Sequence, residues 1–189
     1  MPSLILDGKG VEFFYRDSGR PQGDLYTTVL ILHGLTFHSG ELRRHICNFF
    51  LPRSSCWSLG VFQRILPLAS SKKLRLICLN RRDYAGTTLY SPGELEVLSS
   101  GSKTDRAAFL AARGLEIALV LDRLIDELSL PPPTADSKDG GLALMGWSSG
   151  NVEALAAIAG FPSFPPNVQR RLQLYLRRYI MHGESIDVR

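Results

Sequence analysis

The sequence predicts an α/β fold: a mostly parallel sheet with helices on both faces. Three observations carry this. Thr27–Leu32 (TTVLIL), Leu74–Asn80 (LRLICLN) and Leu142–Trp147 (LALMGW) are continuous β-rich apolar runs of strand length. Such runs read as strands buried on both faces, the setting of a parallel sheet. Between the second and third lies a long helix of 3.6-residue period, and a second helix follows the third. Alternating strands and helices are the pattern of right-handed crossovers.

The elements follow in order. Leu4–Leu6 and Val11–Tyr15 are short strands around the turn Asp7-Gly8-Lys9-Gly10, expected to extend the sheet as an antiparallel hairpin. Asp105–Leu128 is the long helix, with Thr104 as its expected N-cap and Leu110, Ile117, Leu121, Leu124 and Leu128 on one face. Gly114, in the same phase, is placed for close helix packing. Leu130–Gly141, with its Pro run, is a surface loop. Ser149–Ala159 is a helix closed by Gly160. Val168–Tyr179 is amphipathic, and 179–182 begins a fourth parallel strand at the far edge. Thr27–Leu32 is expected at the centre, between the other two buried runs.

Composition narrows the function classes. Lys and Arg number 22 against 18 Asp and Glu, a net charge of +4. That surplus is too small to argue for nucleic acid. Arg170, Arg171, Arg177 and Arg178 read as the solvated face of an amphipathic helix. Cys47, Cys56 and Cys78 are an odd number without framework spacing, which fits reduced thiols in a cytoplasmic protein. The first residues lack a basic segment ahead of an apolar one, so no signal peptide is expected. No apolar run is long enough for a membrane span. No metal, cofactor, nucleic acid or membrane is expected as a partner.

Gly146-Trp147-Ser148-Ser149-Gly150 matches G-x-S-x-G between a buried strand and a small-residue helix. A nucleophile on such a sharp turn sits in a strained backbone, and the flanking glycines let strand and helix approach without clashing Cβ atoms. The turn also sets the Ser148 hydroxyl at a helix N-terminus, where the dipole favours developing negative charge. Upstream, His33-Gly34 follows a buried strand. The N–H groups of Leu35 and Ser149 are the expected oxyanion donors. His33 is expected to tie its loop down rather than act as a base. Trp147 fits an acyl pocket and the core equally well.

In these segments the chain resembles the α/β-hydrolase family. The strand with His-Gly, the strand with LNRRDYAGTT and the strand with GWSSGN fall in the family's order, closest to fungal members with a similar Asn-Arg-Arg-Asp-Tyr segment. The resemblance covers roughly residues 1–40 and 61–182. It implies a partial α/β-hydrolase core and a serine hydrolase with a Ser–acid–His triad acting on esters, epoxides or amides. It also implies that Arg81–Thr88 lies beside the site, as rim or as substrate contact.

Two departures qualify the resemblance. The complete fold needs about eight strands at about 30 residues per βα unit, and the triad acid and His follow later strands. Only His182 lies beyond Ser148, within a strand, so the usual acid and His positions are absent. Glu184 and Asp187 are the variant acid positions. The second departure is residues 41–60 (ELRRHICNFFLPRSSCWSLG), which have no clean period and read as an insertion whose deletion should not lower stability. Gly40-Glu41-Leu42 can be encoded with a GTGAGT splice donor and Leu59-Gly60 with an AG acceptor. The tail 183–189 (GESIDVR) can open with the same donor. Both fit retained introns, against the alternative of a lineage-specific loop and a genuine short form. The functional expectation is a serine hydrolase of weak or no activity on a small acyl-type substrate. The alternative is a non-catalytic α/β module binding a ligand or a protein.

Overall fold

A computed structural model describes residues 2–6, 8, 10–34, 62, 64–84 and 86–183. The segment 41–60 and the tail from 184 lie outside the described residues, as do Leu35, His38, Cys47, Cys56, Glu184 and Asp187. Strands β1 (Ser3–Leu6), β2 (Val11–Asp17), β3 (Thr27–Leu32), β4 (Leu74–Leu79), β5 (Leu142–Trp147) and β6 (Leu176–His182) form one sheet in the order β1-β2-β4-β3-β5-β6. β3 lies at the centre and pairs in parallel with β4 and β5. β6 pairs in parallel with β5 at one edge. The β1–β2 hairpin adds to β4 in antiparallel sense at the other. These are the expected neighbours and directions.

Side chains alternate across the sheet with a period of two. Leu30, Leu32, Ile77, Leu79, Leu142 and Leu144 face the larger core. Val29, Ile31, Leu76, Cys78 and Ala143 face a smaller one. Helices α2 (Lys103–Glu127), α3 (Gly150–Gly160) and α4 (Pro166–Tyr175) supply the larger core through Ile117, Leu121, Leu124, Ala154, Ala157, Val168 and Leu172. The short 3-10 helices Leu66–Leu68 and Ser70–Lys72 lie by the other face, where Phe62, Leu66 and Ala69 pack. Burial pushes the Cys78 thiol up to about 12, so it behaves as a small apolar residue. No helix among the described residues is long and apolar enough to cross a membrane.

Gly114 packs as expected: a Cβ there would lie 2.5 Å from the Ala156 backbone. Other expectations need correcting. The N-cap of α2 is Ser102, not Thr104. Ser102 and Asp105 exchange side-chain and backbone hydrogen bonds in a capping box. Leu110 is exposed, because the first turns of α2 are mostly solvated. A second capping box, Ser91 with Glu94, opens a helix missing from the sequence reading, α1 (Pro92–Ser100). It has no buried residue and hence no apolar period to read. The last helix ends at Tyr175, and β6 starts there. Arg177 and Arg178 therefore stand on a strand, while Arg171 pairs with Asp122 and Asp126 of α2.

Candidate active site

The turn from β5 into α3 carries the motif. Ser148 has φ of 51°, the left-handed region, which is strained for a residue with a Cβ. The segments around it are packed closely. A Cβ on Gly150 would run into the Leu32 carbonyl, and one on Gly146 would lie 2.5 Å from Asn151 Oδ1. One on Gly34 would lie 3.0 Å from Ser148 Cβ. The three glycines thus bring β3, β5 and α3 together at a spacing that larger residues would not permit, and the Ser148 side chain is left exposed.

The His182 carbonyl, Asn151, Tyr179 and Arg81 fix the turn, in roles that the sequence does not signal. The Ser148 amide donates to the His182 carbonyl at 2.8 Å. Asn151 Nδ2 donates to that same carbonyl at 3.1 Å, and the Tyr179 hydroxyl donates to Asn151 Oδ1 at 3.3 Å. The end of β6 is therefore fastened to the turn. On the other side, Arg81 Nη1 donates to the Ser149 carbonyl at 3.1 Å and reaches Ser149 Oγ at 3.4 Å. Asn151 belongs to the quoted GWSSGN, and Arg81 to the quoted LNRRDYAGTT, but neither role has a sequence signature.

His33 is fully buried. The Arg81 amide donates to its Nε2 at 3.2 Å, so the ring proton sits on Nδ1, which lies 2.7 Å from the Gly34 carbonyl. Tyr84 packs edge-on against the ring at 4.3 Å. With both nitrogens engaged, His33 holds the β3 loop against the β4 loop. Trp147 is half-buried and packs against Phe62 at 5.8 Å. No described residue hydrogen-bonds the Ser148 hydroxyl.

Charge is buried beside the turn. Arg82 and Arg113 both bond Glu94 and Glu116, at 2.6 to 3.3 Å. Tyr90 lies against both guanidiniums. Burial works to raise the Glu94 carboxyl, but hydrogen bonds from Arg113, the Ser91 amide and Arg82 outweigh it and hold it at about 2. Glu153, in the first turn of α3, lies 3.8 Å from Arg81 Nε, and burial raises its pKa against the pull of Arg81, Arg113 and Arg82. Among the described residues, no three His, Cys, Asp or Glu side chains cluster as a metal site.

A solved structure of a VrEH2 mutant superposes with a TM-score of 0.51 at 13% identity, over 95% of this chain and 37% of its own. The fold is that of the α/β-hydrolases. Bromoperoxidase from Bacillus anthracis aligns with a TM-score of 0.47 at 15% identity, over 95% of this chain and 43% of its own. An esterase from Exiguobacterium antarcticum gives 0.43 at 15%, over 96% and 44%. The chain thus spans about two fifths of the length of these α/β-hydrolase structures. Neither a protein-family model nor a curated protein matches the sequence.

Proposed function

We propose that this chain carries the nucleophile half of a serine-hydrolase site, with Ser148 attacking the carbonyl of a small ester-type acyl substrate. The observation that carries the reading is the left-handed φ of 51° at Ser148, at the point where β3, β5 and α3 close on one another. A structure holds a strained non-glycine residue only where its surroundings over-determine it. In this reading the Ser149 and Leu35 amides receive the oxyanion, and His33, Gly34, Gly146 and Gly150 support the turn.

Turnover is expected to be slow. A serine hydroxyl is a weak nucleophile at neutral pH without an adjacent base, and neither nitrogen of His33 is available. Among the described residues what is left is the contribution of oxyanion donors and binding, about 10³–10⁴-fold over water. Hydrolysis of short p-nitrophenyl esters should therefore be slow, and Ser148→Ala should change it little. A fluorophosphonate should nonetheless form its adduct selectively at Ser148, read by peptide mass spectrometry. Labelling spread over other serines, with Ser148 spared, would sink the proposal. Fast ester hydrolysis abolished by Ser148→Ala would keep the nucleophile and overturn the slow turnover.

The alternative is a non-catalytic binding module, favoured by the engagement of both His33 nitrogens in holding the fold. It requires an acyl-like ligand to bind Ser148→Ala as tightly as the unaltered chain, with no adduct on either.

A further inference from the structure

We propose that Arg81 is a positioning residue for the oxyanion site, aiming the Ser149 amide by clamping the peptide that follows it. The inference rests on Ser148 as nucleophile, since only then does the direction of that N–H carry chemistry. A trans peptide points its C=O and N–H in opposite directions. The Ser148 carbonyl turns into α3 and accepts from the Asn151 amide at 3.0 Å. The Ser149 N–H of the same peptide therefore points out of the helix, towards the mouth of the turn. The next peptide is held at the Ser149 carbonyl from two sides, by the Val152 amide within α3 and by Arg81 Nη1 from the β4 loop, each at 3.1 Å. With both flanking peptides fixed, the φ and ψ of Ser149 (−62° and −17°) are fixed too.

The cation is placed against the usual preference. The N-terminus of a helix repels positive charge, and Arg81 is buried. Glu153 and the Tyr84 ring, 5.7 Å from the guanidinium, offset this. Ser149 stands at the N-cap yet makes no capping bond, and its hydroxyl turns to Arg81 instead. A serine here would ordinarily bond a first-turn amide. The backbone of Arg81 does a second job. Its amide holds His33, and its carbonyl accepts from Thr87 Oγ1 at 2.8 Å. One residue thus joins the β3 loop, the β4 loop and the nucleophile turn.

The test compares the full chain with Arg81→Met, Arg81→Lys and Arg75→Met, the last a buried arginine at the opposite end of β4. Phosphonylation of Ser148 by a fluorophosphonate is followed as a function of probe concentration, below the melting temperature of every variant. Arg81→Met should lower the rate at saturating probe by about 10- to 100-fold, the effect of misaiming a reacting group by about an ångström, with half-saturation little changed. Arg81→Lys, which keeps one charged donor, should lose about 5-fold, the factor of one ordinary hydrogen bond. Arg75→Met should lower the melting temperature but not the labelling rate. Wild-type labelling in Arg81→Met, or in Arg81→Lys if the Met variant does not fold, overturns the proposal. So does an equal loss in Arg75→Met. If Ser148 of the unaltered chain takes no label, the nucleophile reading fails separately, and amide NMR decides for Arg81. A shifted Ser149 resonance in Arg81→Met, with Leu30 and Ile77 unmoved, supports it; an unmoved Ser149 resonance overturns it.

Discussion

The two ends of β4 bury charge in different ways. At the entry end, Arg75 meets Asp17 in a two-point pair, with Nε 3.0 Å from Oδ1 and Nη2 on Oδ2. At the exit end, Arg82 and Arg113 share Glu94 and Glu116, and Arg81 faces Glu153. The first arrangement is a single ion pair that fastens β2 to β4, with the Gly19 amide on Asp17 Oδ1 and Arg75 Nη1 on the Leu128 carbonyl. In the second each member holds others in place, and the cluster reaches from α1 to the first turn of α3. At the entry end a broken pair should loosen an edge. At the exit end, loss of one member leaves charge uncompensated in a cluster whose Arg81 bonds the Ser149 carbonyl, so stability and site geometry are linked there.

The largest expected effect is Glu116→Ala. Glu116 is 3% exposed, and its loss leaves Arg82 and Arg113 short of a carboxylate, at a cost of about 3–5 kcal/mol in urea unfolding. Asp17→Ala at the entry end should cost about 1.5–3 kcal/mol, the range of hydrogen bonds to charged groups, and leave labelling of Ser148 unchanged. The double variant should be additive within about 0.5 kcal/mol. Coupling well above that would erase the distinction between the two ends.

Acid titration separates two glutamates within the exit end. Glu94 sits at about 2 in the folded chain against an ordinary 4.5. The unfolded chain therefore binds more protons in that window, so the contribution of Glu94 is complete above 4.5 and lost as pH falls towards 2. Glu153 is raised, so its sign is reversed: the folded chain holds the extra proton, and stability is lost as pH rises from 4.5 through the folded pKa. Melting temperatures against pH should show Glu94→Gln flattening the acid limb and Glu153→Gln flattening the limb above it. The smallest effect is Ser91→Ala. It removes a cap worth about 1 kcal/mol, but α1 has no buried residue. The loss should appear as faster amide exchange within α1, with the global unfolding midpoint unmoved.

The sheet was legible because β3, β4 and β5 are buried on both faces and their apolar runs are unbroken. The strained turn was legible because G-x-S-x-G between a strand and a helix admits few backbones. What held that turn was not. Arg81, Asn151 and Tyr179 act through a guanidinium on a carbonyl, an amide on a carbonyl and a hydroxyl on an amide. These are contacts between distant segments, and they leave no periodic trace. The cap of α2 was not legible because Ser102 and Thr104 are both good N-cap residues, and only the reciprocal bond to Asp105 separates them.

The hydrogen bond from the Ser148 amide to the His182 carbonyl also bears on the order of events during synthesis. The turn emerges from the ribosome well before the strand that fastens it. Until residue 182 is free to dock, Ser148 lacks that restraint and its chain can relax to an ordinary φ. Ser148 should therefore acquire its geometry late, in the step that adds β6 to the sheet. A nascent chain arrested short of that point should hold β3, β4 and β5 in register yet take no fluorophosphonate at Ser148.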